Sequence, residues 1–352
     1  MTKEKILVAM SGGVDSSVAA WLLKNAGYDC TGATMQLFSD VLPLPCAPKC
    51  ETEQARLVAE RLGIPFEVLD LSADFRRHVI DYFVRTYLDG STPNPCVECN
   101  RTMKFGRLLD CARELGCEKI ATGHYARVKQ DANGRWQVLA AADAGKDQTY
   151  VLWALSQDQL SHTLFPLGDY TKDEIRALAL QNGFSNASAR DSQDVCFIPD
   201  GDYVTFIEKL TGESFPDGDF IDADGNILGR HRGMLRYTVG QRKGLGIAFG
   251  KPTYVCAKNA TDNTVTLGNN DDLFSRELTA HAVNLIATDA FSLPTRIEAK
   301  VRYNAKAAPA WVEQTSPDTI RLRFDTPQRA ICAGQSVVLY DGNCLVGGGI
   351  ID

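Results

Sequence analysis

Two groups of residues in this 352-residue sequence have types and spacings that could do chemistry. The first is SGGVDSS, Ser11 to Ser17. Ser11 with Ser16 or Ser17 offers hydroxyl donors, and Gly12 and Gly13 let the backbone come close to a polyphosphate. The stretch follows an apolar run and opens a helical pattern, where backbone amides can hold phosphate oxygens. Asp15, near the start of that helix, suits a Mg2+ ion on pyrophosphate. No lysine follows until Lys24, whereas a loop for γ-phosphoryl transfer keeps one beside the β and γ phosphates. The lysine-free loop suits AMP transfer better, with cleavage between the α and β phosphates. The plainer alternative is a tight turn with Asp15 as a helix cap. The second group is thiols: Cys96 and Cys99 in TPNPCVECNRTMKFG, and Cys196 in ARDSQDVCFIPDGDY. A thiolate is the reactive form and needs a depressed pKa or a nearby cation. Arg101 and Lys104 follow Cys99 closely, and Arg190 precedes Cys196.

The elements that would position these groups alternate. Residues 5–10 read as a strand; Val14, Val18 and Leu22 then recur at helical spacing until Gly27. CTGATMQLF is a second strand, and TEQARLVAERLG places Ala55, Val58, Ala59 and Leu62 on one helical face. PFEVLDL is a third strand, and DFRRHVIDYFVRTYLDG a long helix with Phe75, Val79, Phe83 and Tyr87 inward. KFGRLLDCARELG is a further helix and KIATGHYA a further strand. This alternation predicts a parallel sheet with helices on both faces, and ligands beyond the carboxyl ends of its strands. The 11–13 loop and the 122–124 turn both fall there. Two more helices follow between 155 and 185, the second with a capping box of Thr171 and Glu174. After a last helix, YVTFIEKLTG, short β-branched segments separated by turn residues take over. The expected fold is α/β: a parallel-sheet nucleotide domain over 1–204, a small β-rich module over 205–277 and a β-barrel over 278–352.

The totals bound the function. Hydrophobic content of 44% with 23% charged residues is ordinary for a soluble globular protein. The N-terminal apolar run is broken at once by Ser and Gly, so it reads as neither a signal peptide nor a membrane span. Eleven cysteines without an export signal point to a reducing, cytoplasmic setting, where cysteines are buried hydrophobes, metal ligands or catalysts. A net charge of −7 argues against wholesale attraction to nucleic acid. One stretch departs from that: no acid lies between Asp224 and Asp262, while Arg230, Arg232, Arg236, Arg242, Lys243, Lys251 and Lys258 do.

SGGVDSS resembles the signature of the PP-loop ATP pyrophosphatases. With TGHYA, KDQTYVLW and RYTVGQRKGLGI, the cysteine strings resemble the bacterial tRNA-specific 2-thiouridylases over almost the whole chain. The resemblance implies that ATP adenylates O2 of a wobble uridine in tRNA, and that Cys196 brings sulfur as a persulfide. Cys99 would act as nucleophile, releasing that sulfur or forming a disulfide with Cys196. It further implies an ATP site from Ala9 and Met10 through Ser11, Gly12, Gly13, Val14, Asp15 and Ser16, with Met35 and Gly123. It implies tRNA contacts by Asn94, Pro95 and Cys96, by His124, by Lys146, Asp147 and Gln148, and by Arg302, Tyr303 and Gln335. Arginine and tyrosine suit an unstacked nucleotide, through charge and stacking, and an amide can read a uridine edge. For His124 a structural role at a strand end is an equal alternative. Arg236, Arg242 and Lys243 would lie along tRNA phosphates. The sulfur would come from a persulfide-relay protein or a cysteine desulfurase.

The sequence departs from the familiar pattern at Cys96, which stands where well-known members carry an aspartate. That puts proton transfer at this position in doubt and creates a C-x-x-C, beside Cys46 and Cys50 in CAPKC. Two alternatives therefore stay open: a tetracysteine zinc site, and an iron–sulfur cluster on Cys99 and Cys196, with Cys96 or Asn94, that holds the active sulfide. A small-molecule ligase with the same loop, such as an argininosuccinate or NAD synthetase, would need neither a barrel nor a reactive cysteine pair.

Overall fold

In the computed structural model, residues 3–38, 49–184, 186–187, 195–247 and 250–352 are described, with only the backbone of Lys49, Cys50 and Glu51. Cys46, the Cys50 side chain and Arg190 lie outside the described residues. The first domain is a five-stranded parallel sheet. Its strands are β1 (Lys5–Ala9), β2 (Asp29–Gln36), β3 (Phe66–Asp70), β4 (Lys119–Ala121) and, after a hairpin of β5 (Arg127–Gln130) and β6 (Trp136–Leu139), β7 (Thr163–Leu164). The spatial order is β3-β2-β1-β4-β7. Ile6, Leu7 and Val8 have no exposed surface. Ile6 and Val8 pack into one core and Leu7 into another, which is what a central strand between two helical layers requires. On one side of the sheet α1 (Val14–Asn25) and α2 (Lys49–Leu62) bury Val18, Ala19, Val58 and Ala59. The direction of strand addition reverses between β1 and β4, so a crevice opens beyond their carboxyl ends.

The long helix predicted after β3 runs through 72–88, with a π-helical stretch at Arg76–Ile80. Phe75, Val79, Phe83 and Tyr87 are all buried in it. The capping box of Thr171 and Glu174 opens the helix Lys172–Gln181. The second domain holds β8 (Gly218–Ile221), β9 (Ile227–His231), β10 (Tyr254–Asn259) and β11 (Thr264–Gly268) around Phe220, Val255 and Val265. The third is a closed barrel of β12 (Phe274–Leu285), β13 (Thr295–Lys300), β14 (Ala308–Ser316), β15 (Thr319–Arg329), β16 (Ser336–Asp341) and β17 (Cys344–Ile351), closed by pairing of β12 with β17.

Two features differ from the expected division. The helix Tyr203–Thr211 and strand β12 each run across a proposed boundary. The hairpin β5–β6 belongs by sequence to the first domain, yet it extends the barrel sheet: β6 pairs with β17 through Leu139↔Cys344 and Val138↔Leu345. Arg135, in the hairpin turn, fastens it there by donating to the carbonyls of Leu285, Ile286 and Thr288. Among the described residues no helix is long and apolar enough to cross a membrane.

Candidate active site

The phosphate loop is built from its own hydroxyls. Ser11 N–H donates to Ser16 Oγ at 3.2 Å, and the Ser16 and Ser17 hydroxyls donate to Gly13 O at 3.1 and 2.9 Å. Gly12 takes φ +76°, a left-handed conformation that favours glycine. Ser11 remains exposed at the mouth. Met10 and Val14 turn their side chains into the core, at 2% and 4% exposure, so they offer the crevice backbone only. Asn186, which the sequence reading missed, donates from Nδ2 to Gly12 O at 2.6 Å and to Ser17 Oγ at 3.0 Å. Gly123 lies where the β4 turn meets the start of α1. A Cβ there would stand 2.9 Å from Ser16 N and 3.0 Å from Asp15 C, so only glycine lets the two loops close on each other.

The missing lysine comes from elsewhere in the chain. Lys172 Nζ stands 2.8 Å from both carboxylate oxygens of Asp15. Its side chain is 6% exposed, against 30% for Asp15. Tyr125 Oη donates to Asp15 Oδ1 at 2.9 Å. Asp15 is therefore engaged by two groups of the protein, and it does not offer Mg2+ the open carboxylate expected from sequence. Neither Lys172 nor Tyr125 was foreseen. A signal existed for the lysine: it occupies the first turn of a helix, where a cation is disfavoured by the helix dipole unless an anion faces it.

The thiols gather at the same end of the sheet. The helix Pro95–Cys99 leads directly into a π-helical stretch, Asn100–Arg107. Asn100 is buried and donates to Val151 O at 2.9 Å, which fixes the turn after Cys99. Cys99, 8% exposed, shares a hydrophobic cluster with Met103, Phe75, Phe197 and the end of β2 at Met35. Phe197 is the neighbour of Cys196, and its ring packs on Phe75 and Phe83 at 5.7 and 5.1 Å. Burial pushes the Cys99 thiol up to about 11, with Lys104 pulling the other way. Cys196 is exposed as a residue, but its thiol is enclosed: burial, then Cys99 and Cys96, push it up to about 12, and Lys104 again opposes. Cys96 is exposed. Cys96, Cys99, Cys196 and Lys104 thus form one electrostatic group, and Lys104 has no acidic partner among the described residues. Arg101, the other cation foreseen beside Cys99, is held by Glu98 at 2.6 Å.

The remaining expected residues divide. Gln335 donates from Nε2 to Thr92 O and Pro93 O at 3.2 and 3.1 Å, so the barrel anchors the approach to Asn94, Pro95 and Cys96. Tyr303, 45% exposed, packs on Tyr150 at 5.7 Å and donates to Asp147 O at 3.3 Å. Arg302 donates to Ala330 O. Asp147 spends its side chain on Ala141 N–H and Thr149 Oγ1, and Gln148 Oε1 accepts from Tyr125 N–H. Both side chains hold the loop, and the amide nitrogen of Gln148 has no hydrogen bond among the described residues. Lys146 is half-buried beside them. His124 is placed in the core, not on a surface. It is 8% exposed, bonded to Thr122 Oγ1 at 2.7 Å and packed against Phe105 and Phe165, and burial holds its pKa well below the usual histidine value. In the basic stretch, Arg230 and Arg236 are paired with Asp219 and Glu208, whereas Arg242 and Lys243 are exposed. Among the described residues no three His, Cys, Asp or Glu side chains are grouped to hold a metal ion. In this arrangement Cys96, Cys99 and Cys196 are not grouped as the ligands of an iron–sulfur cluster.

A phosphate loop at the switch point of a parallel sheet, with two β domains appended, defines a PP-loop-type nucleotide enzyme carrying barrel modules. Profiles described as tRNA methyl transferase HUP domain, tRNA methyl transferase PRC-barrel domain and aminomethyltransferase β-barrel domain match residues 4–200, 204–269 and 275–351. A tRNA-specific 2-thiouridylase MnmA of Clostridioides difficile is 49% identical over 99% of this chain and 98% of its own. One of Acetivibrio thermocellus is 48% identical over 100% of both chains. Among solved structures, a U34-tRNA thiolase NcsA from Methanococcus maripaludis has 19% identity and a TM-score of 0.37, covering 60% of this chain and 68% of that one. The chain belongs to the tRNA-specific 2-thiouridylase family.

Proposed function

We propose that this protein is a cytoplasmic, ATP-dependent tRNA-uridine 2-sulfurtransferase acting on the wobble position. The observation that carries the reading is the trio of Cys96, Cys99 and Cys196 around Lys104, at the end of the sheet that bears a phosphate loop. Methyl transfer, the wording of two family profiles, calls for no such group of thiols.

In the first step O2 of the uridine attacks the α-phosphorus of ATP and pyrophosphate leaves. Gly12, Gly13 and the Ser11 and Ser16 hydroxyls hold the polyphosphate, and Lys172 is the cation within reach of it once Asp15 releases it. In the second step Cys99 thiolate attacks Sγ of the Cys196 persulfide. The terminal sulfur leaves as hydrosulfide and adds to C2, AMP departs with O2, and a Cys99–Cys196 disulfide remains. The sulfur reaches Cys196 from a relay protein or a desulfurase. Tyr303 supplies a stacking surface for the extruded nucleotide beside Cys96, while Arg242 and Lys243 supply phosphate contacts.

The test is nucleoside mass analysis of tRNA incubated anaerobically with the protein, ATP, Mg2+ and a persulfide donor (a cysteine desulfurase with cysteine), alongside Cys99→Ser and Cys196→Ser. One sulfur-for-oxygen exchange that is lost in Cys99→Ser supports the reading. ATP split to AMP and pyrophosphate with tRNA unchanged would sink it.

A further inference from the structure

Sulfur delivery by Cys99 and Cys196 leaves the third thiol of the group without a task, although its position is specific. Cys96 and Cys99 are three residues apart in the helix Pro95–Cys99, so they share a face with Cβ atoms about 5–6 Å apart. A disulfide needs about 3.5–4.5 Å. The gap is small, and Cys96 lies in the first turn of a helix of only five residues, with its side chain exposed. The two thiols differ in access: Cys96 is exposed and Cys99 is buried among Met103, Phe75 and Phe197. Each delivery of sulfur leaves Cys99 joined to Cys196, and Cys196 must be freed before it can be charged again. A protein reductant cannot reach Cys99 in its cluster. Cys96 can be reached, and it stays beside Cys99 whatever Cys196 is doing.

We propose that Cys96 is the resolving thiol of the relay, a role that rests on the persulfide reading above. Cys96 thiolate attacks Sγ of Cys99, the Cys99–Cys196 bond breaks, and Cys196 leaves as a thiolate that takes up a proton. The Cys96–Cys99 disulfide so formed lies at the surface, where a dithiol reductant reduces it to two thiols and is itself oxidised to a disulfide. Lys104, within electrostatic reach of Cys99 and Cys196, steadies the thiolate that departs.

The full-length protein is loaded with persulfide anaerobically, given ATP and tRNA for one turnover, quenched in acid, alkylated and mapped by peptide mass. The wild type should carry a Cys96–Cys99 link with Cys196 alkylated, and Cys96→Ser a Cys99–Cys196 link. With thioredoxin as reductant, Cys96→Ser should complete a first turnover and then cycle about tenfold or more slowly, with excess dithiothreitol restoring the later turnovers. A wild-type protein that retains the Cys99–Cys196 link, or a Cys96→Ser protein that cycles at the wild-type rate with thioredoxin, overturns the proposal. So does a defect that dithiothreitol leaves in place, which would assign Cys96 to base binding. If the loaded wild type makes no 2-thiouridine, the persulfide reading falls and takes this role with it. Failure of the resolving role alone leaves the product formed and only the linkage changed.

Discussion

Lys172 and Asp15 are 157 residues apart in sequence, yet the lysine amine stands 2.8 Å from both oxygens of the carboxylate, beneath a loop that carries no lysine of its own. The pair is lopsided, with the lysine side chain almost fully buried and the aspartate about one-third exposed. Removing the aspartate therefore takes the carboxylate away from a buried cation, whereas removing the lysine takes the cation away from a carboxylate that water still reaches. Asp15→Asn should cost roughly 3–5 kcal/mol and Lys172→Met less. Urea unfolding of the two variants checks that order, and the reverse order would place the charge burden on Asp15. Both variants should lose ATP–pyrophosphate exchange.

Gly123→Ala should separate nucleotide use from folding. The added methyl meets the backbone of Asp15 and Ser16 and not a flexible side chain, so the start of α1 must shift, at a cost of about 1–3 kcal/mol. A raised KM for ATP, with tRNA binding unchanged in a filter assay, is the expected outcome. Unaltered ATP kinetics would show that the β4 turn does not shape the nucleotide crevice.

Lys104→Gln removes the cation that opposes burial at Cys99 and Cys196. Thiolation should slow about tenfold for each pKa unit lost, while AMP formation continues, and raising the pH should recover part of the rate. Alkylation with iodoacetamide gives a second readout: Cys96 should react first and Cys99 last, and faster as pH rises.

His124 makes stability fall in mild acid. Its pKa is held below the ordinary 6.5 by burial, so below that pH the unfolded chain binds a proton that the folded chain refuses. Stability is then full above about pH 6.5 and declines as pH drops toward the folded value, by up to roughly 1.4 kcal/mol per pH unit. His231 is lowered for the same reason and adds in the same direction. His124→Gln should therefore reduce, without abolishing, the slope of melting temperature between pH 7 and 5. An unchanged slope would show that the imidazole titrates normally.

What was legible in the sequence was local. The phosphate loop is a strand, two glycines and a helix within about a dozen residues, and the capping box of Thr171 and Glu174 is a pattern of four, so both could be read directly. Cys99 and Cys196 could be singled out as a pair, with Lys104 close to Cys99 in sequence, but how far apart the two thiols stand could not be read. What could not be read depends on packing between distant segments. Lys172 follows a recognisable cap, but nothing in its neighbourhood names Asp15 as its partner. His124 follows Gly123 in a turn that looks exposed until Phe105 and Phe165 close over it. Asp147 and Gln148 look like base-reading groups, yet their own loop uses them.

The hairpin β5–β6 has a consequence for how the molecule is made. Its partner β17 lies more than half the chain away, so during synthesis the hairpin is translated early and must wait with a bare edge. Bare edges invite mispairing, and Arg135 has no barrel carbonyls to grip until β12 has been made. The same late strand closes the barrel on β12, and the barrel in turn supplies Gln335 to the cysteine loop. A chain cut short before β17 would carry the phosphate loop and the thiols but lack the pairing that seats them together. Assembly of the working site is thereby tied to the completion of β17.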